Sequence, residues 1–133
     1  MPLPSHATPL GKDHMLEIAA LLLALLGLVH SVLGERYILV RLFRRELPPL
    51  FGGSAFTRNT LRFAWHLTTL LALGISAVLW QLGDAPPAAV IARTLGWCLL
   101  ACGVLPLLFT RGRHLAWVVL WAAGALCLAW AAR

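Results

Sequence analysis

The chain has 133 residues, enough for one domain. It is 60% hydrophobic and only 12% charged, where a soluble domain carries about 25% charged residues, so it is too poor in charge to cover a water-facing surface and lipid is its natural solvent. The formal net charge is +6; the basic residues stand between apolar runs, where they act as topology signals and as contacts to anionic lipid headgroups, and a nucleic-acid partner is excluded on that ground.

A membrane span needs about 20 apolar residues. Four runs meet that length: Met15 to Gly34, Leu61 to Leu82, Ala88 to Phe109, and Leu115 to Ala132. A Pro-containing tail with His6 and His14 precedes the first run. That run is too long for a signal-peptide core and has only Lys12 in place of a basic cluster, so it reads as a span, although Val32-Leu33-Gly34 loosely fits a cleavage pattern. The next stretch, Arg36 to Arg45, is basic and apolar together. It either continues the first helix or lies along the membrane surface, with Tyr37 and Phe43 as anchors.

The connections carry helix-end signals. Asn59 and Thr60 are placed to cap the second helix. Gly83, Asp84, Pro86 and Pro87 make a turn that starts the third, and Thr110, Arg111 and Gly112 close it. Small residues (Ala20, Ala24, Gly27 and Ser31 on the first helix; Ala92, Gly96 and Gly103 on the third) form stripes that let helices approach closely in lipid. The fold class is therefore all-α: a single domain, residues 1–133, forming an integral membrane four-helix bundle with antiparallel neighbours and a long connection over 35–60.

Charge sets the orientation. Arg36, Arg41, Arg44, Arg45, Arg58, Arg62, Arg111 and Arg113 fall on one side. Lys12, Arg93 and Arg133 fall on the other, offset by Asp13, Glu17 and Asp84. The positive-inside rule puts the first and third connections in the cytoplasm and both termini outside, as in a multi-pass protein of a bacterial inner membrane.

Cys98, Cys102 and Cys127 all lie in apolar runs, an odd count that argues for small buried hydrophobes and against a disulfide framework. No nucleophile triad, phosphate loop or Cys/His zinc spacing is present, which weighs against a self-sufficient enzyme.

The residues that carry chemistry gather at one depth. His30 and His66 lie near the arginine-rich ends of the first and second runs, within about 3 Å of the same depth at 1.5 Å rise per residue. Arg62, His66 and Thr69 share a helix face. Ser31 and Glu35 stand at the mouth of the first helix, and His114 opens the fourth on the same side. Ionisable groups in a span turn inward and mark a site. This cluster predicts helix packing, or binding of a partner or small ligand. Alternatives are haem ligated by His30 and His66, a transition metal on His30, His66 and Glu35, a quinone site, or a proton relay. An oligomeric transporter is a further alternative, since four spans are few for a translocation path; a homo-oligomer or a membrane protein partner is expected in either case. His30 and Glu35 are five residues apart, about 140° around an ideal helix, so their convergence requires a break at Gly34.

The segments His30-Ser31-Val32-Leu33-Gly34-Glu35-Arg36 and Leu61-Arg62-Phe63-Ala64-Trp65-His66-Leu67-Thr68 resemble a pattern in a family of small, uncharacterised bacterial four-span membrane proteins. The resemblance covers mainly the first two helices. It implies a shared site and names no chemistry.

Overall fold

The computed structural model describes residues 12–51 and 53–133, with side chains from residue 14 onward. The tail with His6, the side chains of Lys12 and Asp13, and Gly52 lie outside the described residues. The described residues form four helices and no strand: α1 (Lys12–Leu33), α2 (Ser54–Leu82), α3 (Ala88–Thr110) and α4 (Ala116–Ala131). The first does not stop at Leu33. It passes through a π-helical turn, Gly34–Leu39, and ends in a last α-turn, Val40–Leu42. Most of the stretch that was open to two readings is thus an extension of the first helix.

Three helical stretches, His14–Leu42, Ser54–Leu82 and Ala88–Thr110, are long and apolar enough to cross a membrane. The fourth helix has 16 residues, which at 1.5 Å rise is about 24 Å, less than the roughly 30 Å of a hydrocarbon core.

One expected helix start is corrected. Asn59 and Thr60 do not cap α2, which begins six residues before Thr60 at Ser54, behind Gly53 in an extended, positive-φ conformation (φ 107°). Residues 54–60 continue the helix beyond the apolar run, and Thr57 ties this added turn down by donating its hydroxyl to the Pro48 carbonyl (2.7 Å). The other ends behave as expected. Pro87 precedes α3, and Arg111 closes it in the left-handed region (φ 53°), with the Gly112 N–H bonded back to the Leu107 carbonyl.

Among the described residues, close backbone approach joins consecutive helices only: α1 to α2, α2 to α3, α3 to α4. The bundle is therefore open, with α1 and α4 as its two edges. Many apolar side chains of α1 stand exposed; Leu22 and Leu26 are each 63% accessible.

Side-chain hydrogen bonds to backbone carbonyls stitch α1 to α2 in antiparallel order. Ser76 donates to Ala20 (2.7 Å), Thr69 to Gly27 (3.1 Å), and the Trp65 indole to His30 (3.1 Å). The buried residues of α1 follow the seam: Ala20, Gly27 and Gly34 recur every seven residues, and Leu39 follows after five. A seven-residue repeat keeps one stripe against a neighbour. A five-residue step would leave that stripe in an α-helix. The π-turn, closed by the Val40 N–H on the Glu35 carbonyl, brings Leu39 back onto α2.

Glycine sets the other crossings. A Cβ on Gly74 would run into the Cys98 sulfur, and one on Gly103 into the Trp121 indole, which donates to the Leu100 carbonyl (3.0 Å). Gly96 and Gly124 meet backbone to backbone: a Cβ on Gly124 would sit 2.8 Å from the Gly96 carbonyl oxygen. The small residues predicted to line the third helix therefore face α4.

Candidate functional site

The site is built at the arginine-rich end of the α1–α2 hairpin. Ser31 and Glu35 are one α-turn apart, so they share a face of the first helix despite the π-turn beginning between them. Arg62 and His66 have the same spacing on α2. The two pairs meet. Ser31 Oγ lies 2.6 Å from His66 Nδ1, and His66 Nε2 lies 3.2 Å from Glu35 Oε2. Arg62 Nη2 reaches Glu35 Oε1 at 2.8 Å while its Nε donates to Oε2 at 3.2 Å. The four side chains form one string: Ser31, His66, Glu35, Arg62. Arg62 also stacks over the Phe43 ring, 5.0 Å from its centroid.

A carboxylate only accepts, so His66 Nε2 carries the hydrogen of the bond to Glu35. Nδ1 then accepts from the Ser31 hydroxyl when the ring is neutral, or donates to it when the ring is charged. Each side chain in the string is held by another member. The Arg62 and Glu35 side chains are about a third exposed (30% and 33%), so the string sits at an interface and not in a sealed core.

His30 lies beside this string, not in it. Its ring stacks on Trp65 (centroids 4.4 Å apart, planes within 6°). The Thr68 hydroxyl donates to the Trp65 carbonyl (2.7 Å), and His30 Nε2, 3.1 Å away, donates to that hydroxyl. Gly34 makes the stack fit: the Trp65 indole occupies the space where a Cβ would be. Thr69, also expected in the site, is buried in the seam on Gly27. His114 belongs to a third setting. Its ring packs edge-on against Phe63 (5.0 Å) and near Phe56, and its Nδ1 accepts the Ala116 N–H (3.3 Å).

The expected cluster therefore separates, with His30, Thr69 and His114 each in a setting of its own, and only Ser31, Glu35, Arg62 and His66 are brought together as a unit. Among the described residues no three His, Cys, Asp or Glu side chains are placed to hold a metal ion. His30 is turned into the Trp65–Thr68 contact, and both nitrogens of His66 are engaged. The set His30, His66 and Glu35 does not fit a metal or a bis-histidine haem without breaking these bonds.

Two features escaped sequence reasoning. Trp65 and Thr68 complete the His30 contact; the spacing Arg62, Trp65, His66, Thr69 (i, i+3, i+4, i+7) marks Trp65 as part of the face that meets α1. The order serine–histidine–carboxylate is that of a hydrolase triad, with the two ring nitrogens exchanged. Among the described residues no free backbone N–H groups form an oxyanion hole beside it: Ser31 is inside α1, whose N–H groups serve the helix itself.

Comparison of the chain with protein-family models, with curated proteins and with solved structures finds no match. The functional reading rests on the geometry of the hairpin.

Proposed function

We propose that this chain is a small multi-pass membrane protein that works by binding and not by catalysis, with the Ser31–His66–Glu35–Arg62 string as the lock of its first hairpin. The observation that carries the reading is the closure of the string: the Glu35 carboxylate is shared by Arg62 and His66, and His66 spends its other nitrogen on Ser31. In lipid, where apolar burial gives helices no reason to associate, such bonds and close packing hold a hairpin together. The locked hairpin leaves the outer face of α1 open, and the proposal assigns that face to lipid and to the helix of a membrane partner or second copy.

Orientation and compartment belong to the same proposal. The arginines at the string's end of the molecule support a cytoplasmic position for that end in a bacterial inner membrane, with both termini outside. The short α4 then makes the fourth crossing, with the bilayer thinning locally to meet it.

The test uses the detergent-purified full chain beside His30→Ala and His66→Ala. Absorption spectra, elemental analysis and thermal unfolding are recorded on all three. The expected result is a colourless, metal-free protein, with His66→Ala less stable than His30→Ala because His66 links two residues of the first helix. A Soret band or near-stoichiometric metal that disappears in either variant overturns the proposal in favour of a cofactor protein.

A further inference from the structure

A second polar feature lies at the same end of the molecule, one helical turn beyond the Arg62–Glu35 pair. The connection from the first helix folds back on the start of α2 and encloses a groove of about 440 Å³. Phe43, Arg44, Arg45 and Glu46 line one side, and Ser54 and Arg58 line the other. Ser54 and Arg58 are i and i+4 on α2, so they present one face to the groove.

The charges in this groove are not spent inside the protein. Arg62 is paired with Glu35, and Arg36 and Arg41 lie over the Tyr37 ring. Arg44, Arg45, Arg58 and Glu46 take part in no ion pair among the described residues. Three guanidiniums against one carboxylate leave a charge of +2 (3 − 1) on the walls. Arg58 lines the groove with its Nε buried and without a hydrogen-bond partner among the described residues, and an anion seated in the groove cancels the charge of the walls.

We propose that this groove is a phosphate-binding site, taking a phosphomonoester anion on Arg44, Arg45 and Arg58. A phosphomonoester carries about −1.5 to −2 charges at neutral pH and three acceptor oxygens. Guanidinium groups suit it because their forked donors match its geometry. The Ser54 hydroxyl stands at the groove as a further donor. The anion belongs either to a lipid headgroup at the membrane surface or to a free phosphate, and the chemistry of recognition is the same. The site does not depend on the Ser31–Arg62 string or on its role.

The experiment is native mass spectrometry of the detergent-solubilised full chain with phosphatidic acid, with phosphatidylcholine as the phosphodiester control. The site variant is Arg44→Gln/Arg45→Gln; both side chains are exposed, so the fold does not depend on them. The charge-matched control is Arg111→Asn/Arg113→Gln, which removes two charges from the same end and keeps a residue that tolerates positive φ at 111. Phosphatidic acid is expected to be retained over phosphatidylcholine, with affinity falling about tenfold in the site variant and less than about twofold in the control. Arg58→Gln loses the same affinity. Displacement of the lipid by millimolar inorganic phosphate, which then binds in its place, identifies a free anion as the ligand; retention of the lipid identifies the headgroup. Equal losses in the site variant and the control, equal retention of phosphatidylcholine, or no retention of phosphatidic acid or inorganic phosphate overturns the proposal.

Discussion

Arg62 grips Glu35 with a two-point fork, Nη2 to Oε1 at 2.8 Å and Nε to Oε2 at 3.2 Å, and so fixes the rotation of a carboxylate that His66 also uses. A fork of this kind is stronger and more directional than a single charged contact. Its partial exposure limits its worth, because water screens part of the attraction. Glu35→Gln and Arg62→Leu are each expected to cost about 1–2 kcal/mol, less than the several kcal/mol of breaking a fully buried pair. Their double-mutant coupling is expected to be about 1 kcal/mol. Arg62→Lys keeps the charge and loses the fork, so it recovers part of the stability and not all. Reversible unfolding in mixed micelles measures each value; additive losses would show that the pair does not act as one.

Gly34 permits the most demanding contact of the hairpin. It is buried at the start of the π-turn, and the Trp65 indole lies where its side chain would be. The indole cannot retreat freely, since it stacks on His30 and donates to the His30 carbonyl. Gly34→Ala is therefore expected to destabilise by about 1–3 kcal/mol, the usual cost of overpacking. Trp65→Phe in the same background relieves the crowding only in part, because it also gives up the indole hydrogen bond. Among the six tryptophans, the Trp65 resonance in the 19F NMR spectrum of 5-fluorotryptophan-labelled protein, assigned by its loss in Trp65→Phe, reports the change directly: it shifts in Gly34→Ala as the indole leaves its slot. An unshifted spectrum with wild-type stability would contradict the contact.

The helical framework was legible in the sequence because its signals are strong and local. Long apolar runs, arginine-rich connections and Gly/Pro turns locate all four helices. The depth match of His30 and His66 places both near one end of the hairpin, but only His66 joins the polar string, while His30 stacks on Trp65. What stayed hidden depends on direction around a helix, which spacing fixes only while the helix remains regular. The π-turn at Gly34–Leu39 is one such case: no residue pattern announces it, and it realigns Leu39 and the turn bearing Phe43 with α2. His30 is another. It sits one position before Ser31, about 100° around the helix, and that step separates the Trp65 stack from the His66–Glu35 bond. The six added residues before Thr60 escaped because Asn59 and Thr60 resemble a cap, while the tether that holds the extra turn, Thr57 to Pro48, is a contact across the loop.

The two seams of the molecule are held by different means, and substitutions should separate them. Along α1–α2, Thr69 and Ser76 donate to buried carbonyls of the facing helix. Such bonds within a bilayer average about 0.6 kcal/mol and reach about 1.7 kcal/mol. Thr69→Val and Ser76→Ala are expected to fall in that range and to add, since the two sites are two turns apart. Along α3–α4 the hold is proximity, with the Gly96 and Gly124 backbones in contact. Gly124→Leu must push the helices apart and is expected to cost more than either polar change, on the order of 2–3 kcal/mol. Thermal unfolding of the four proteins orders them; a Gly124→Leu variant as stable as Thr69→Val would remove close packing as the basis of that seam.

Ser31 gives the sharpest separation between a lock and a reaction centre. Its hydroxyl lies 2.6 Å from a histidine that a carboxylate orients, as a nucleophilic serine would require. The rest of the requirement is missing. A tetrahedral intermediate needs donors aimed at its oxyanion, and losing a single such donor costs a hydrolase about 10²–10³ in rate. Around Ser31 the backbone donors belong to α1, and the nearby guanidinium of Arg62 is bound to Glu35. A fluorophosphonate probe, which reports serines activated toward acyl or phosphoryl transfer, is therefore expected to leave Ser31 unlabelled in the intact protein. Ser31→Ala is expected to cost only about 0.5–1.5 kcal/mol, the net worth of one hydrogen bond. Covalent labelling that maps to Ser31 and disappears in His66→Ala would reverse this conclusion and make the string a catalytic one.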